Sequence, residues 1–452
     1  MPPKKSQPSP RFRVGKVSVY EHHGAWWVYY RDDAGPHRKK VAETRDQAEQ
    51  VAARVNSQLA SNEPTLLTFT PIGVAELRKQ FLDYHEHVLH SAVGTLNRYR
   101  SATQHLEDFV ATLPKVPQAH EVKVEAFAAY LRTIQVTPNG HKNTEKRKLL
   151  TKGIQYILET CRTMYTYAIK RRHLPPYAGN PFSELPLDKM KIEDAKPIFV
   201  FTADTELKFL KECSGWAFPI NFALAKTGLR VGELVHLLIE DVDLAGGWLN
   251  VRNKVELGWR VKTGQERTVP LLSEVVAVLR VVIGKRTCGP VFLREKFAAQ
   301  KPAVTGDRRE LEKVLRGRRA AKSHPLNRTE ESALAQKLWQ DAGALKPDQV
   351  RLTFVRLMTE IGHPESTCPK SWRHTFATLL QDANVDPLIR QQVMGHKPTL
   401  TSGLGMTANY THTRPETRKE QVERALRLWP KSLALAAERV AGVCETSDKP
   451  LV

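Results

Sequence analysis

Two arginines, a histidine and a tyrosine stand out as groups that could act together: Arg230, Arg373, His396 and Tyr410. A guanidinium forks two hydrogen bonds onto phosphate oxygens and stays charged at any working pH. In-line attack on a phosphodiester gathers negative charge on the equatorial oxygens, so donors must be fixed there in advance. A tyrosine hydroxyl, with an ordinary pKa of about 10, is a weak nucleophile until its proton is removed. Once bonded to phosphorus it becomes a covalent intermediate that keeps the bond energy.

The elements that must position these groups can be read from local signals. The stretch from Cys368 to His412 begins with a helix carrying Lys370, Arg373 and His374. A second helix is predicted to start at Asp386 as its cap, with Pro387 in the first helical position, and to stop at Gly395. His396 then leaves a helix end, and a polar, glycine-containing loop leads to Tyr410. Upstream, the apolar run from Trp216 to Ala225 ends at Thr227-Gly228, and Arg230 opens a new helix with Leu234, Leu237 and Leu238 as its buried stripe. Arg230 and Glu233 share a face of that helix, and taken alone the pair reads as an ordinary surface ion pair. From Trp248 to Leu272 the chain alternates like a sheet, with strands expected at 248–251, 259–262 and 267–271 and a turn at Thr263-Gly264-Gln265.

These boxes, in this order, resemble the tyrosine recombinases, also called the phage integrase family. The family pattern His-x-x-Arg-His, then Gly-His, then a tyrosine followed two positions on by His, appears here as Lys370-Ser371-Trp372-Arg373-His374, Gly395-His396 and Tyr410-Thr411-His412. Its first box appears as Thr227-Gly228-Leu229-Arg230-Val231-Gly232-Glu233-Leu234. The resemblance implies that Arg230, Arg373 and His396 hold a scissile phosphate and that Tyr410 attacks it. Glu233 and His374 would support the site. Lys262, in Lys-Thr-Gly on the hairpin, matches the lysine taken to protonate the departing 5′ oxygen, with Lys254 as the alternative. Lys370 stands where the family most often has histidine; a lysine donates to a phosphate oxygen but makes a poor base at its ordinary pKa of about 10.4. The 14 positions from His396 to Tyr410 exceed the expected spacing, with Thr401 to Met406 read as a short insertion.

Composition agrees with a polyanionic partner. Lys plus Arg number 69 against 48 Asp plus Glu, a formal net charge of +21, which favours nucleic acid over a membrane surface. Five cysteines, an odd number with no CxxC pair, fit a reducing compartment and not a disulfide scaffold or a zinc knuckle. No apolar run has the length of a membrane span, and the N-terminal residues lack the apolar core of a signal peptide. His85, His87 and His90 do not form HExxH, and no metal site, Walker loop or nucleotide cofactor is expected.

The fold class expected is multidomain. Residues 1–10 read as a disordered basic tail. Residues 11–60 read as a three-stranded sheet plus helix, resembling an arm-binding domain, in which Arg31, Arg38, Lys39 and Lys40 are candidates for phosphate contact. Residues 72–185 carry four amphipathic helices and resemble the helical core-binding domain, with Arg147 in a basic run that is either a DNA contact or a solvated charge cluster. Residues 186–198 read as a linker and 199–430 as a mainly helical catalytic domain with a small β-hairpin sheet, where Arg260 and Arg267 are further DNA-contact candidates. A basic helical insertion is expected at about 295–361, extending either a DNA surface or a protomer contact, and a tail at 431–452. The resemblance implies double-stranded DNA at attachment or crossover sites as partner, a homotetramer on that DNA, an accessory directionality factor, no cofactor, and a cytoplasmic, nucleoid-associated protein of a phage or other mobile element. The rival readings are a type IB topoisomerase-like relaxing enzyme and a recombinase-derived DNA-binding protein without catalysis.

Overall fold

The computed structural model describes residues 11–32, 35–61, 65, 67, 69–137, 144–175, 179–191, 197–396 and 413–445. It divides into two units, residues 1–195 and 196–452, both predominantly helical with small sheets.

The first unit opens with an antiparallel meander of β1 (Arg11–Val14), β2 (Val17–His22), β3 (Ala25–Asp32) and β4 (Gly35–Ala42). Side chains alternate across it, as the two-residue period of a strand requires. Val17, Val19, Trp26, Val28 and Tyr30 are buried, while Tyr29 and Arg31 point the other way. Helix α1 (Arg45–Ala60) follows its cap position at Thr44 and covers the buried face with Ala48, Ala52 and Val55. The sequence pattern predicts three strands here. The fourth, β1, is short and its strand character comes from pairing with β2.

The predicted four helices follow as α2 (Val74–Asp83), α3 (Val93–Ala111), α4 (Val124–Thr133) and α5 (Thr151–Lys170). Phe81, Leu106, Phe127, Met164 and Tyr165 are fully buried in their shared core. A two-residue ladder of β5 (Gln135–Val136) and β6 (Arg147–Lys148) joins α4 to α5. His85 bonds Ser91 (2.9 Å) and packs edge-on against Phe81. Among the described residues no group of three His, Cys, Asp or Glu is placed to hold a metal ion.

The second unit begins with α6 (Ala203–Glu212), α7 (Ala217–Thr227) and the single turn α8 (Val231–Leu234). The expected longer helix after Arg230 stops at Leu234; Leu237 and Leu238 are buried as predicted, but from irregular backbone. A small antiparallel sheet joins β7 (Val242–Asp243), β8 (Trp248–Val251) and β9 (Arg267–Pro270). The expected strand at 259–262 is absent. Instead β8 pairs directly with β9, Val251 opposite Arg267, and residues 252–266 form one long excursion.

After α9 (Ser273–Ile283) come α10 (Arg308–Ala320), α11 (Arg328–Asp341) and α12 (Pro347–Glu360). The first two build a satellite core of Leu311, Leu315, Ala335, Leu338 and Trp339 with Leu238 and Leu257. Helix α12 instead sends Val350, Phe354, Leu357 and Met358 into the main core, so the helices of 295–361 do not form one separate module. The chain ends in α13 (Lys370–Asp382), α14 (Pro387–Met394), α15 (Pro415–Leu426) and α16 (Pro430–Glu445). The expected tail from 431 is thus mostly a helix. Leu433 and Ala436 enter the main core, and Arg439 donates to the carbonyls of Lys211 and Cys213 (both 2.9 Å).

Candidate active site

Glu233 is the hub around which the cationic groups gather. Its carboxylate is 2% exposed and accepts from the Arg230 backbone N–H (2.9 Å) and Arg230 Nη1 (2.7 Å). From β9, Arg267 donates Nη1 (3.0 Å) and Nη2 (2.7 Å) to its two oxygens. Burial alone would raise the Glu233 pKa, but the hydrogen bonds from Arg267 and Arg230 hold it below the ordinary carboxylate value. The pair is therefore no surface i,i+3 contact. Arg267, expected as a DNA contact, is instead 5% exposed and also donates Nε to the Val393 carbonyl (2.8 Å) at the end of α14.

Arg373 arrives from α13, and its neighbour explains its aim. Trp372 is fully buried, stacks on Phe201 (3.8 Å between ring centroids, 4° between planes) and donates Nε1 to Asn221 (3.2 Å). With Trp372 locked into the core, the next side chain projects towards the loops at the ends of α7 and α14. Arg373 donates Nη1 to the Gly228 carbonyl (2.7 Å) and Nη2 to the Met394 carbonyl. Gly228 must be glycine: its φ is +61°, and a Cβ there would lie 2.4 Å from the Phe376 ring. No carboxylate bonds Arg373 among the described residues. Burial, then the charge of Arg230, pushes its pKa down to about 10. A buried cation facing only neutral carbonyls is costly to keep unless an anion completes it.

His396 follows the predicted cap. Asp386 accepts from the backbone of Leu388 (2.7 Å), Pro387 occupies the first turn, and Gly395 ends α14 at φ +62°. The imidazole then lies with Nε2 3.3 Å from Arg373 Nη2. Burial first, then Arg373, Arg230, Arg267 and Lys370, lowers its pKa, so near neutral pH it is an uncharged ring able to accept from Arg373. Lys370 is exposed one turn before Arg373 on α13, and His374 is partly buried beside it, its pKa lowered by burial and by Lys370 and Arg373. Beside His396 opens a cavity of about 750 Å³, lined among others by Arg252, Arg267, Gln391, Thr413 and Arg418. Tyr410 lies outside the described residues.

The two lysines of the excursion separate cleanly. Lys254 is 1% exposed and bonds the equally buried Asp241 at 2.7 Å, a structural pair. Lys262 is exposed at the turn between Val261 and Gly264, and no hydrogen bond joins it to the arginine cluster among the described residues. Arg260 and Arg147 are also exposed. In the first unit Arg31, Arg38 and Lys40 are exposed and Lys39 is half-buried. Arg38 lies over the rings of Trp27 (5.3 Å) and Tyr20 (5.4 Å).

Comparison with known proteins gives this geometry a family. Residues 217–417 match the phage integrase family model. Over that stretch the chain resembles the phage integrase family. The match covers the arginine cluster, the histidine and the position of Tyr410. Curated relatives include the tyrosine recombinase XerA of Pyrococcus furiosus, 26% identical over 46% of this chain and 53% of its own length. The tyrosine recombinase XerD of Staphylococcus saprophyticus is 26% identical over 58% of this chain and 72% of its own. The chain thus spans about half the length of the first of these relatives. A solved structure of the Tn1549 transposon integrase in complex with a circular intermediate DNA is similar at 18% identity, with a TM-score of 0.44, covering 78% of this chain and 99% of that one.

Sequence reasoning missed the part played by Arg267, because its partners Glu233 and Val393 are remote in the chain. It also missed the carbonyls of Gly228 and Met394, which carry no side-chain signal. A positively charged residue alternating inward on β9 was the available hint.

Proposed function

We propose that this chain is a site-specific DNA recombinase of the integrase family that cleaves and rejoins DNA through a 3′-phosphotyrosine intermediate, in the integration and excision of a mobile element. The observation that carries the reading is Arg373: a guanidinium buried without a bonded carboxylate, 3.3 Å from His396 and beside an Arg230–Glu233–Arg267 network. Such a site fits a phosphodiester, whose non-bridging oxygens supply the missing negative charge.

Arg230, Arg373 and His396 bind the scissile phosphate. The phenol oxygen of Tyr410 forms a bond to phosphorus, and the bond from phosphorus to the 5′ oxygen breaks. The departing oxygen takes its proton from the Lys262 ammonium. The phenol proton passes to a base, for which the uncharged ring of His396 is the candidate among the described residues, while Lys370 contacts the phosphate. Thr413, three residues after Tyr410 in sequence, lines the cavity beside His396. The 5′ hydroxyl of a partner strand then attacks the phosphotyrosine and releases the protein, so no nucleotide or metal cofactor is required by the chemistry. The substrate is double-stranded DNA at attachment sites, the working assembly a homotetramer, and an accessory factor sets direction. Arg31, Arg38, Lys39, Lys40, Arg147 and Arg260 add phosphate contacts. The setting is the cytoplasm, on the nucleoid; among the described residues no helix is long and apolar enough to cross a membrane.

The test is covalent capture on a nicked duplex taken from the ends of the host element. Tyr410→Phe is expected to bind that duplex and form no denaturant-resistant adduct, and Arg373→Ala to lose cleavage. An adduct with Tyr410→Phe removes the nucleophile assignment. A plasmid assay scored for joined partners against simple relaxation separates recombination from topoisomerase-like action.

A further inference from the structure

The module built by α10 and α11 grips the excursion that carries Lys262. Trp339 donates Nε1 to the Leu257 carbonyl (3.0 Å), and Leu257 is fully buried in the satellite core. Ala335 packs on Gly258, where φ is +72° and an added Cβ would lie 2.5 Å from the Ala335 methyl. The Arg308 guanidinium bonds the Glu256 carboxylate.

A second set of contacts ties the same loop to the first arginine box. The His236 ring stacks on Trp259 (5.1 Å, 19°) and meets Trp339 edge-on (4.8 Å, 85°). Its Nδ1 donates to the Gly232 carbonyl (2.7 Å), between Arg230 and Glu233 in sequence. Burial pushes the His236 pKa down to about 4, so this ring is neutral in the folded protein at pH 7. At the loop base, Lys254 and Trp259 exchange backbone hydrogen bonds (both 3.0 Å), and Lys254 is held by Asp241. Three residues past Trp259 stands Lys262. Its turn is stapled by Asn253, which accepts from the Val261 N–H (2.9 Å) and donates to the Gly264 carbonyl (3.0 Å).

We propose that the inserted module is a positioning element for Lys262, acting through Trp339 and Arg308. The proposal rests on the assignment of Lys262 as the acid. An excursion without strand pairing would otherwise leave its ammonium free to sample many positions. A misplacement of about 1 Å in a proton donor costs up to about 100-fold in rate. Trp339, His236 and Trp259 form one aromatic contact path from the module, past the turn holding Arg230, to the root of the Lys262 turn.

The discriminating substrate replaces the bridging 5′ oxygen at the scissile phosphate with sulfur. A thiol has a pKa of about 8.5 against about 15.7 for water, so the thiolate leaves unprotonated and needs no acid. Single-turnover adduct formation is followed on the nicked duplex in both forms. Lys262→Ala, Trp339→Phe and Arg308→Gln are each expected to be slowed at least about tenfold on the oxygen substrate. All three are expected to recover most of that loss on the sulfur substrate. Trp339→Phe keeps a ring and deletes the bond to Leu257; if it fails to fold, Arg308→Gln, at a partly exposed side chain, decides alone. If Lys262→Ala is rescued by sulfur but the module variants are slowed equally on both substrates, or not slowed, the positioning role is overturned. If Lys262→Ala itself is not rescued, the acid assignment fails and the inference falls with it.

Discussion

Replacing Glu233 with alanine removes the acceptor of four hydrogen bonds, two from Arg230 and two from Arg267. The 5% exposed Arg267 is left as a buried cation whose remaining bond is to a neutral carbonyl. Removing one partner of a buried ion pair costs about 3–5 kcal/mol, because the stranded charge is poorly solvated. At a urea slope of about 3 kcal/mol/M, that lowers the unfolding midpoint by about 1 M or more. The pH dependence has a fixed sign. Glu233 has a folded pKa below its unfolded value, so its contribution is present above about pH 4.3 and lost as pH falls through the folded value. The gap between wild type and Glu233→Ala therefore closes in acid. Glu233→Gln keeps the shape, loses the charge and lets Arg230 and Arg267 reorient, and adduct formation is expected to fall about 100-fold while duplex binding persists. The assays are urea melts at pH 7 and pH 3 and single-turnover capture on the nicked duplex. An unchanged midpoint for Glu233→Ala, together with an adduct rate within about threefold of wild type, less than 1 kcal/mol in the barrier, would refute the hub.

Lys254→Ala is expected to lower stability by about 3–5 kcal/mol through the stranded Asp241 carboxylate, whereas Lys262→Ala leaves the melt unchanged and slows cleavage; melts and capture on both variants check this. His236 has a folded pKa of about 4 against an ordinary 6.5, so the unfolded chain binds the proton first and stability falls between about pH 6.5 and 4, by about 3 kcal/mol. His236→Phe should flatten that part of the urea-midpoint profile. Gly228→Ala, which forces a side chain against Phe376 at positive φ, is expected to destabilise the second unit by more than 1 kcal/mol, read from its thermal midpoint.

What could be read from sequence was what local chemistry decides. Asp386, Pro387 and Gly395 bracket α14 because capping depends on residues within one turn. Helices α2 to α5 are legible because one face of each is apolar at the helical period. The misreadings arose where distant packing overrode local pattern. Trp259 and Val261 alternate like a strand, yet Trp259 is placed by the His236 ring and Val261 by the main core, with no partner strand. Arg267 looked like a surface cation because nothing near it in sequence announces Glu233. Helix α12 lies within the 295–361 stretch by position, yet Val350, Phe354 and Leu357 serve the core that holds Trp372. Helix α16 reads as a tail in sequence because its docking depends on carbonyls of α6 and the turn after it. Tyr410 lies outside the described residues, so its support comes from the family-model match and from its place three residues before Thr413, which lines the cavity beside His396.

Digesting the trapped protein–DNA adduct and sequencing the DNA-linked peptide by mass spectrometry identifies the nucleophile outright. The account predicts a 3′-terminal nucleotide joined through phosphate to the Tyr410 oxygen, in an adduct that Arg373→Ala does not form. A linkage to any other residue, or to a 5′ end, would contradict it.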